Sequence, residues 1–317
     1  MIKNKIKIIP TATFLTLFFA IVLLLSIKTP SNPLAPASPN QALVLGLNTE
    51  KPRDELQKPT PPFKNLPENK LLEQTIVAKA YLVLDTNSNT ILFSKGENLR
   101  LPIASLTKLL TAVVAYEELD VMSEVELPEV GEVKSISPSL GLTVGDEIKV
   151  IDLINSTLVC STNDSAKALS LLVENISGKN FVELMNKKAK ELDLNNSKFS
   201  NAMGFDSFDN YSNASDLLKL AVYTQKLSVF KNLGKKALIK FEGKNKTYSC
   251  KASNKLVSPD SIFENIKTGH TLHAQGNLAV KAKMGKKEIL IVLLGSKQRE
   301  TDVKILADIA FNQFIWP

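Results

Sequence analysis

A chain of 317 residues, 44% hydrophobic and 22% charged, has an ordinary globular composition and room for one large domain or two. Such a core needs neither a metal nor a disulfide for support, and only two cysteines are present. The net charge is +7, and the lysines are scattered rather than massed in one segment. An anionic cell-wall surface suits it as well as nucleic acid does, and charge alone does not separate the two.

The N-terminus bears on compartment. Lys3, Lys5 and Lys7 precede an apolar run from Thr11 to Ile27, close to the ~20 residues that span a bilayer as a helix. Lysines cluster before the run and only Lys28 follows closely, so the N-terminus is expected in the cytoplasm and the remainder outside it. A cleaved signal peptide is the rival, with a site after Ala37, but that site lies far past the apolar run and is flanked by prolines. We therefore expect residues 1–28 to be an anchor or signal segment. Residues 29–72 read as a tether: nine of the fifteen prolines fall between Pro30 and Pro67, and Pro30, Pro33, Pro36 and Pro39 recur every third residue, the repeat of a polyproline II spacer.

Residues 73–317 read as one domain. Ala78–Leu84 and Thr90–Phe93 are expected strands joined by a turn at residues 85–89. Ser105 to Leu119 is a helix, with Leu106, Leu109, Leu110, Val113 and Val114 at helical spacing. Further helices are expected at Asp152–Val159, Ser165–Ile176, Lys179–Leu192 and Asn213–Gln225. Strands follow at Ala237–Phe241, Thr247–Lys251, Phe263–Lys267, Leu278–Lys283 and Glu288–Leu294, and Arg299–Phe314 closes the chain as a helix. Two strands, a block of helices, then a run of antiparallel strands and a last helix imply an α+β fold. It would be an antiparallel sheet flanked by helices, plus a helical lobe, with the active site in the cleft between them.

Three short motifs stand in order along this domain: Ser105-Leu106-Thr107-Lys108, Ser161-Thr162-Asn163 and Lys267-Thr268-Gly269. Each alone is weak; a serine three residues before a lysine is commonly a helix cap beside a solvated lysine. Together they point to a serine acyl-transfer site. A serine hydroxyl is a poor nucleophile until a base takes its proton. Residues three apart lie on one helix face, so Ser105 and Lys108 point the same way. Lys108 can act as base only when neutral; burial and a nearby cation both lower a lysine's pKa, and Lys267 is a candidate cation. Ser161 offers a second hydroxyl to pass a proton, and Asn163 a donor and an acceptor for a peptide backbone. Lys267-Thr268-Gly269 is expected to end the strand Phe263–Lys267. There Lys267 and Thr268 suit a substrate carboxylate, Gly269 admits a substrate backbone close to the strand edge, and the N–H of His270 completes an oxyanion hole with that of Ser105.

These motifs resemble those of the penicillin-binding proteins, most closely the low-molecular-mass D-alanyl-D-alanine carboxypeptidases. The resemblance runs over residues 76–295 and includes Ala80-Tyr81-Leu82-Val83-Leu84-Asp85, Leu101-Pro102-Ile103-Ala104-Ser105, Gly145-Asp146, Phe199-Ser200-Asn201-Ala202-Met203-Gly204-Phe205, Tyr211 to Asp216, Asn254-Lys255-Leu256 and Ile266 to Thr271. It implies Ser105 as nucleophile, Lys108 as general base and Ser161 as proton shuttle. Asn163, Lys267, Thr268 and Gly269 would bind substrate, and His270 would lend its backbone N–H. It further implies peptidoglycan stem peptides ending in D-Ala-D-Ala as substrate, β-lactams as inhibitors, no cofactor, no metal and no nucleic-acid partner. The location would be the extracytoplasmic face of a bacterial plasma membrane. The run Ala274-Gln275-Gly276-Asn277-Leu278 departs from the family pattern, so the strand after the last motif is expected to start differently.

Two rival functions remain open. A class A-like β-lactamase adds a deacylating Glu in a Glu-x-x-Leu-Asn stretch, and Glu191-Leu192-Asp193-Leu194-Asn195 fits those letters; the apolar spacing of Phe181, Leu184, Met185, Ala189 and Leu192 instead puts Glu191 at a helix end. A non-catalytic peptidoglycan-binding module would keep the cleft without turnover, which three intact motifs argue against. The two histidines, His270 and His273, have no cysteine or carboxylate beside them in sequence and do not read as a zinc site. Cys160 and Cys250 could pair in an exported protein, but we expect two separate buried thiols, with Cys160 lining the wall of the site.

Overall fold

The computed structural model describes residues 63–64 and 74–317. The expected membrane segment at residues 11–27 lies outside the described residues; within them no helix is long and apolar enough to cross a membrane. Of the Pro-rich stretch, Phe63–Lys64 is described and pairs antiparallel with Phe314–Ile315.

The centre is an antiparallel sheet of five strands. They are β1 (Ala80–Asp85), β2 (Thr90–Lys95), β3 (Phe263–Thr271), β4 (Gln275–Met284) and β5 (Lys287–Ser296), in the order β3-β4-β5-β1-β2. The first strands of the domain thus pair with its last, β1 lying against β5 with Leu82 opposite Val292. Side chains alternate between the two faces of a strand. Ala80, Leu82, Leu84, Leu290, Val292 and Leu294 join the larger core with the helices inserted between β2 and β3. Tyr81, Val83, Ile289, Ile291 and Leu293 instead meet the C-terminal helix through Val303, Leu306 and Ala310. Both faces are covered, so these strands read as continuous apolar runs.

The helices are α1 (Thr107–Glu118), α2 (Val150–Asn155), α3 (Asn163–Ser177), α4 (Phe181–Glu191), α5 (Ala214–Lys226) and the C-terminal α6 (Arg299–Asn312). α1 is buried without a break from Thr107 to Ala115, more than its one apolar stripe implies, because α3, α4 and α5 pack around it. Asn180 and Asn213 cap α4 and α5, their side-chain oxygens accepting from the N–H groups of Glu183 and Asp216 at 3.0 and 2.8 Å. A hairpin arm, Leu238–Glu242 with Thr247–Lys251, stands apart from the central sheet.

The α+β architecture and every element expected in the domain are present, with four local corrections. Ser105 does not open the α-helix; it sits in a short 3-10 turn, Ala104–Leu106, ahead of α1. The helix expected to run to Val159 ends at Asn155 and passes into a π-helical turn, Ser156–Cys160. The Lys267 motif does not end its strand: β3 continues to Thr271, and β4 starts at Gln275, because His270 and Thr271 pair with Gly276 and Gln275. Finally, Cys160 and Cys250 are not separate thiols; they form a disulfide between the π-helical turn and the hairpin arm.

Candidate active site

Ser105 sits on backbone that side chains would disrupt. Ala104 is left-handed at φ 48°, uncommon for a residue with a Cβ. Gly204 (φ 82°) lies against it: a Cβ there would fall far inside contact with the Ala104 carbonyl oxygen and 3.0 Å from the Ser105 nitrogen. On the other side a Cβ on Gly269 would lie 2.9 Å from the Ile103 carbonyl oxygen and 3.2 Å from the Ser105 nitrogen. The missing side chain of Gly269 makes room for the Ser105 turn. Two glycines from distant parts of the chain clamp the backbone of one serine.

One helical turn on, the fully buried Lys108 places its Nζ 2.9 Å from Ser105 Oγ, 2.8 Å from Asn163 Oδ1 and 2.6 Å from the Met203 carbonyl oxygen. The last two are pure acceptors. A neutral amine has two N–H donors and one lone pair, so donating to both aims the lone pair at the Ser105 hydroxyl. Burial lowers the Lys108 pKa from 10.5 to about 7, and the negative charge of Asp164 opposes that shift. Desolvation is the largest cause, as burial of the amine leads one to expect. Lys267, also fully buried, has its pKa pushed well down by burial and by the charges of Lys108 and Arg299.

Both acceptors are themselves held. Asn201 Oδ1 accepts the N–H groups of Met203, Gly204 and Phe205 at 3.2, 2.7 and 3.0 Å, which turns the Met203 carbonyl towards Lys108. Asn163 donates through Nδ2 to the Ile136 carbonyl (3.0 Å) and through its N–H to the Pro138 carbonyl (2.8 Å). Asp164 braces the same loop, accepting from Leu140 N–H at 2.9 Å, Leu142 N–H at 3.1 Å and Ser139 Oγ at 2.7 Å.

Ser161 follows the π-helical turn in a left-handed conformation (φ 67°), buried and two residues from Asn163. Lys267 Nζ donates to the Thr268 carbonyl at 2.9 Å, and the Thr268 hydroxyl shares a 2.6 Å hydrogen bond with Ser253. Arg299 donates to the Gly269 carbonyl at 2.9 Å. β3 is the end strand of the sheet, and its central residues pack against the Ser105 turn. Past Thr271 a cleft of about 610 Å³ opens, lined by Arg100, Asp206, Phe208, Tyr211 and His273 among others. Asp206 ties that cleft to the end of β3, accepting from Thr271 Oγ1 at 2.8 Å and meeting His273 Nδ1 at 3.2 Å. Glu191 is the last residue of α4, exposed and paired with Lys188 at 2.8 Å.

Residues from all three motifs therefore converge. A model of the D-alanyl-D-alanine carboxypeptidase family matches residues 67–298. The chain belongs to that family. It is 29% identical to the D-alanyl-D-alanine carboxypeptidase DacF of Bacillus subtilis over 246 residues, 75% of this chain and 63% of the relative, so it spans under two thirds of that protein's length. It is 30% identical to the D-alanyl-D-alanine endopeptidase of Pseudomonas aeruginosa over 242 residues, 74% of this chain and 75% of the relative. The crystal structure of the Streptomyces K15 DD-transpeptidase superposes with a TM-score of 0.69 at 26% identity, covering 74% of this chain and 97% of that one. These three proteins are named for three different activities, carboxypeptidase, endopeptidase and transpeptidase.

Missing from the sequence reading were Gly204, Asn201, the Met203 carbonyl, Asp164 and Ser253. The stretch 199–205 stood out by its resemblance to the family, yet nothing local shows that its carbonyl completes the surroundings of a lysine 95 positions earlier.

Proposed function

We propose that the protein is a serine D-Ala-D-Ala carboxypeptidase that trims peptidoglycan stem peptides through an ester on Ser105. The carrying observation is the Lys108 cluster, a buried amine with two fixed acceptors, a pKa of about 7 and its third contact on Ser105 Oγ. Lys108 takes the Ser105 proton as the hydroxyl attacks the carbonyl of the penultimate D-Ala. The N–H groups of Ser105 and His270 receive the oxyanion. Ser161 passes the proton to the departing D-Ala amine, and water then releases the shortened peptide, with Lys108 again as base. Lys267 and Thr268 receive the terminal carboxylate, Thr268 exchanging its bond to Ser253 for one to substrate. Asn163 orients Lys108 and offers its amide to the peptide backbone. With the carboxylate at Lys267–Thr268 and the oxyanion at His270, the upstream stem peptide runs antiparallel to β3 and leaves over Thr271 into the cleft beside Asp206.

We also place the protein at the extracytoplasmic face of a bacterial plasma membrane. Residues 1–28 would anchor it and 29–72 would tether it, holding the catalytic domain over the cell wall. The test is intact mass after incubation with benzylpenicillin, beside release of D-alanine from a peptide ending in D-Ala-D-Ala. A single adduct and D-alanine release in the wild type, both absent in Ser105→Ala, are expected. Rapid loss of the drug without an adduct would move the assignment to a β-lactamase. An intact drug without an adduct would leave a binding module.

A further inference from the structure

What fixes the Ser161 turn lies outside the three motifs. Ser161 is left-handed at φ 67° and follows a π-helical turn, and a residue with a side chain keeps such backbone only where its surroundings impose it. Directly before it, Cys160 is bonded to Cys250, 90 positions away on the hairpin arm. One residue earlier, the Val159 carbonyl accepts both the N–H and the hydroxyl of Ser253, at 2.9 and 3.1 Å. The Ser253 hydroxyl in turn shares a 2.6 Å hydrogen bond with Thr268. The arm has its own footing: the Tyr248 hydroxyl and Asn245 N–H donate to the buried Asp146 at 2.7 and 2.9 Å.

We propose that the Cys160–Cys250 disulfide is a positioning device for the acyl transfer, joining the second motif to the third through the arm and Ser253. It sets where the Ser161 hydroxyl stands relative to the Thr268 carboxylate site, and it rests on the acyl-enzyme reading above. The Lys108 contacts come from Ser105, Asn163 and Met203, none of which the strut includes. Losing the strut therefore lowers the rate of acylation without moving the pH at which Lys108 titrates. Cys160 is buried and Cys250 half-buried, so a small dithiol reaches the bond from the arm side. Its thiolate attacks one sulfur and expels the other as a thiolate. Its second thiol then closes on the mixed disulfide, leaving two cysteine thiols and the oxidised dithiol.

The experiment follows benzylpenicillin acylation by intact mass across pH in three full-length samples: oxidised wild type, wild type reduced with dithiothreitol and desalted, and Cys250→Ala. Circular dichroism establishes that each is folded at the assay temperature. In the folded samples lacking the disulfide the plateau rate is expected to fall about tenfold or more, the scale of a small misplacement of a reacting group. The pH midpoint stays at its wild-type value, and reoxidation of the reduced sample restores the rate. A folded, reduced protein that acylates at the oxidised rate overturns the proposal, whatever its melting temperature. A midpoint that moves with the rate also overturns it, since the loss then acts through Lys108. If Cys250→Ala does not fold, the reduced wild type decides. No adduct on oxidised wild type is a different failure, that of the acyl-enzyme reading itself.

Discussion

Replacing Lys108 with Met keeps an unbranched side chain one atom shorter and removes its charge, and the structure states what stability should do. The folded pKa is about 7 against an ordinary 10.5. At pH 7 the unfolded chain holds this proton fully and the folded chain holds about half of it. Stability due to this group therefore rises with pH through this window and is lost as pH falls through the folded pKa. Integrated from pH 7 to pH 9, the linkage amounts to about 2 kcal/mol. Lys267 adds to it with the same sign, because the Lys108 charge is one cause of its own depressed pKa and the substitution removes that cause. Urea unfolding of wild type and Lys108→Met at both pH values measures the difference directly, with groups whose pKa the substitution leaves alone cancelling. Wild type should gain about 2 kcal/mol on the variant between pH 7 and pH 9, and wild-type acylation by benzylpenicillin should rise to a plateau with a midpoint near pH 7. A stability difference that stays flat over that range would show that Lys108 keeps an ordinary pKa, and the assignment of Lys108 as base would be lost with it.

Other substitutions probe the frame around that lysine. Gly204→Ala forces a Cβ into the Ala104 carbonyl at a left-handed position, costing about 1–2 kcal/mol of conformational strain before any clash is counted. Acylation should fall by more than the change in urea midpoint explains, because the Ser105 nitrogen must shift. Asp164→Asn keeps the shape but removes the charge that opposes the lowering of the Lys108 pKa, so the midpoint of the acylation–pH profile should move to lower pH; no movement, or movement upward, counts against that coupling. Glu191→Gln should leave the loss of the penicilloyl adduct unchanged, since Glu191 is exposed at the end of α4 and occupied by Lys188; a large slowing would revive the β-lactamase reading.

Much of this was legible because the chemistry is written in short stretches. The central strands β1 and β5 are apolar runs. Ser105 and Lys108 stand three residues apart at the start of a helical stretch, and the three motifs follow one another in the family's order. What stayed hidden depends on contacts between stretches far apart. That β3 continues through Gly269 to Thr271 follows from pairing with Gln275 and Gly276, residues whose departure from the family pattern pointed only to a different strand start. The cysteine pairing was missed for a similar reason. Composition shows only that a core of this size needs no staple, and it is silent on a staple that serves one turn.

The distinction matters most for Lys108. Its spacing from Ser105 puts two side chains on one helix face and does no more than that, since a lysine so placed on an exposed helix stays charged and cannot accept a proton. Neutrality comes from burial of the whole first half of α1 under α3, α4 and α5. Direction comes from two acceptors supplied 55 and 95 residues away. Each acceptor is pinned in turn, one by the loop that Asp164 braces and the other by the turn that Asn201 closes. Residues that never touch a substrate thus decide whether the four-letter motif is an active site or a capped helix. The sharpest consequence is at Asn201: removing its side-chain oxygen frees three N–H groups and releases the Met203 carbonyl, so Lys108 loses an acceptor while Ser105 and Lys108 both remain in place.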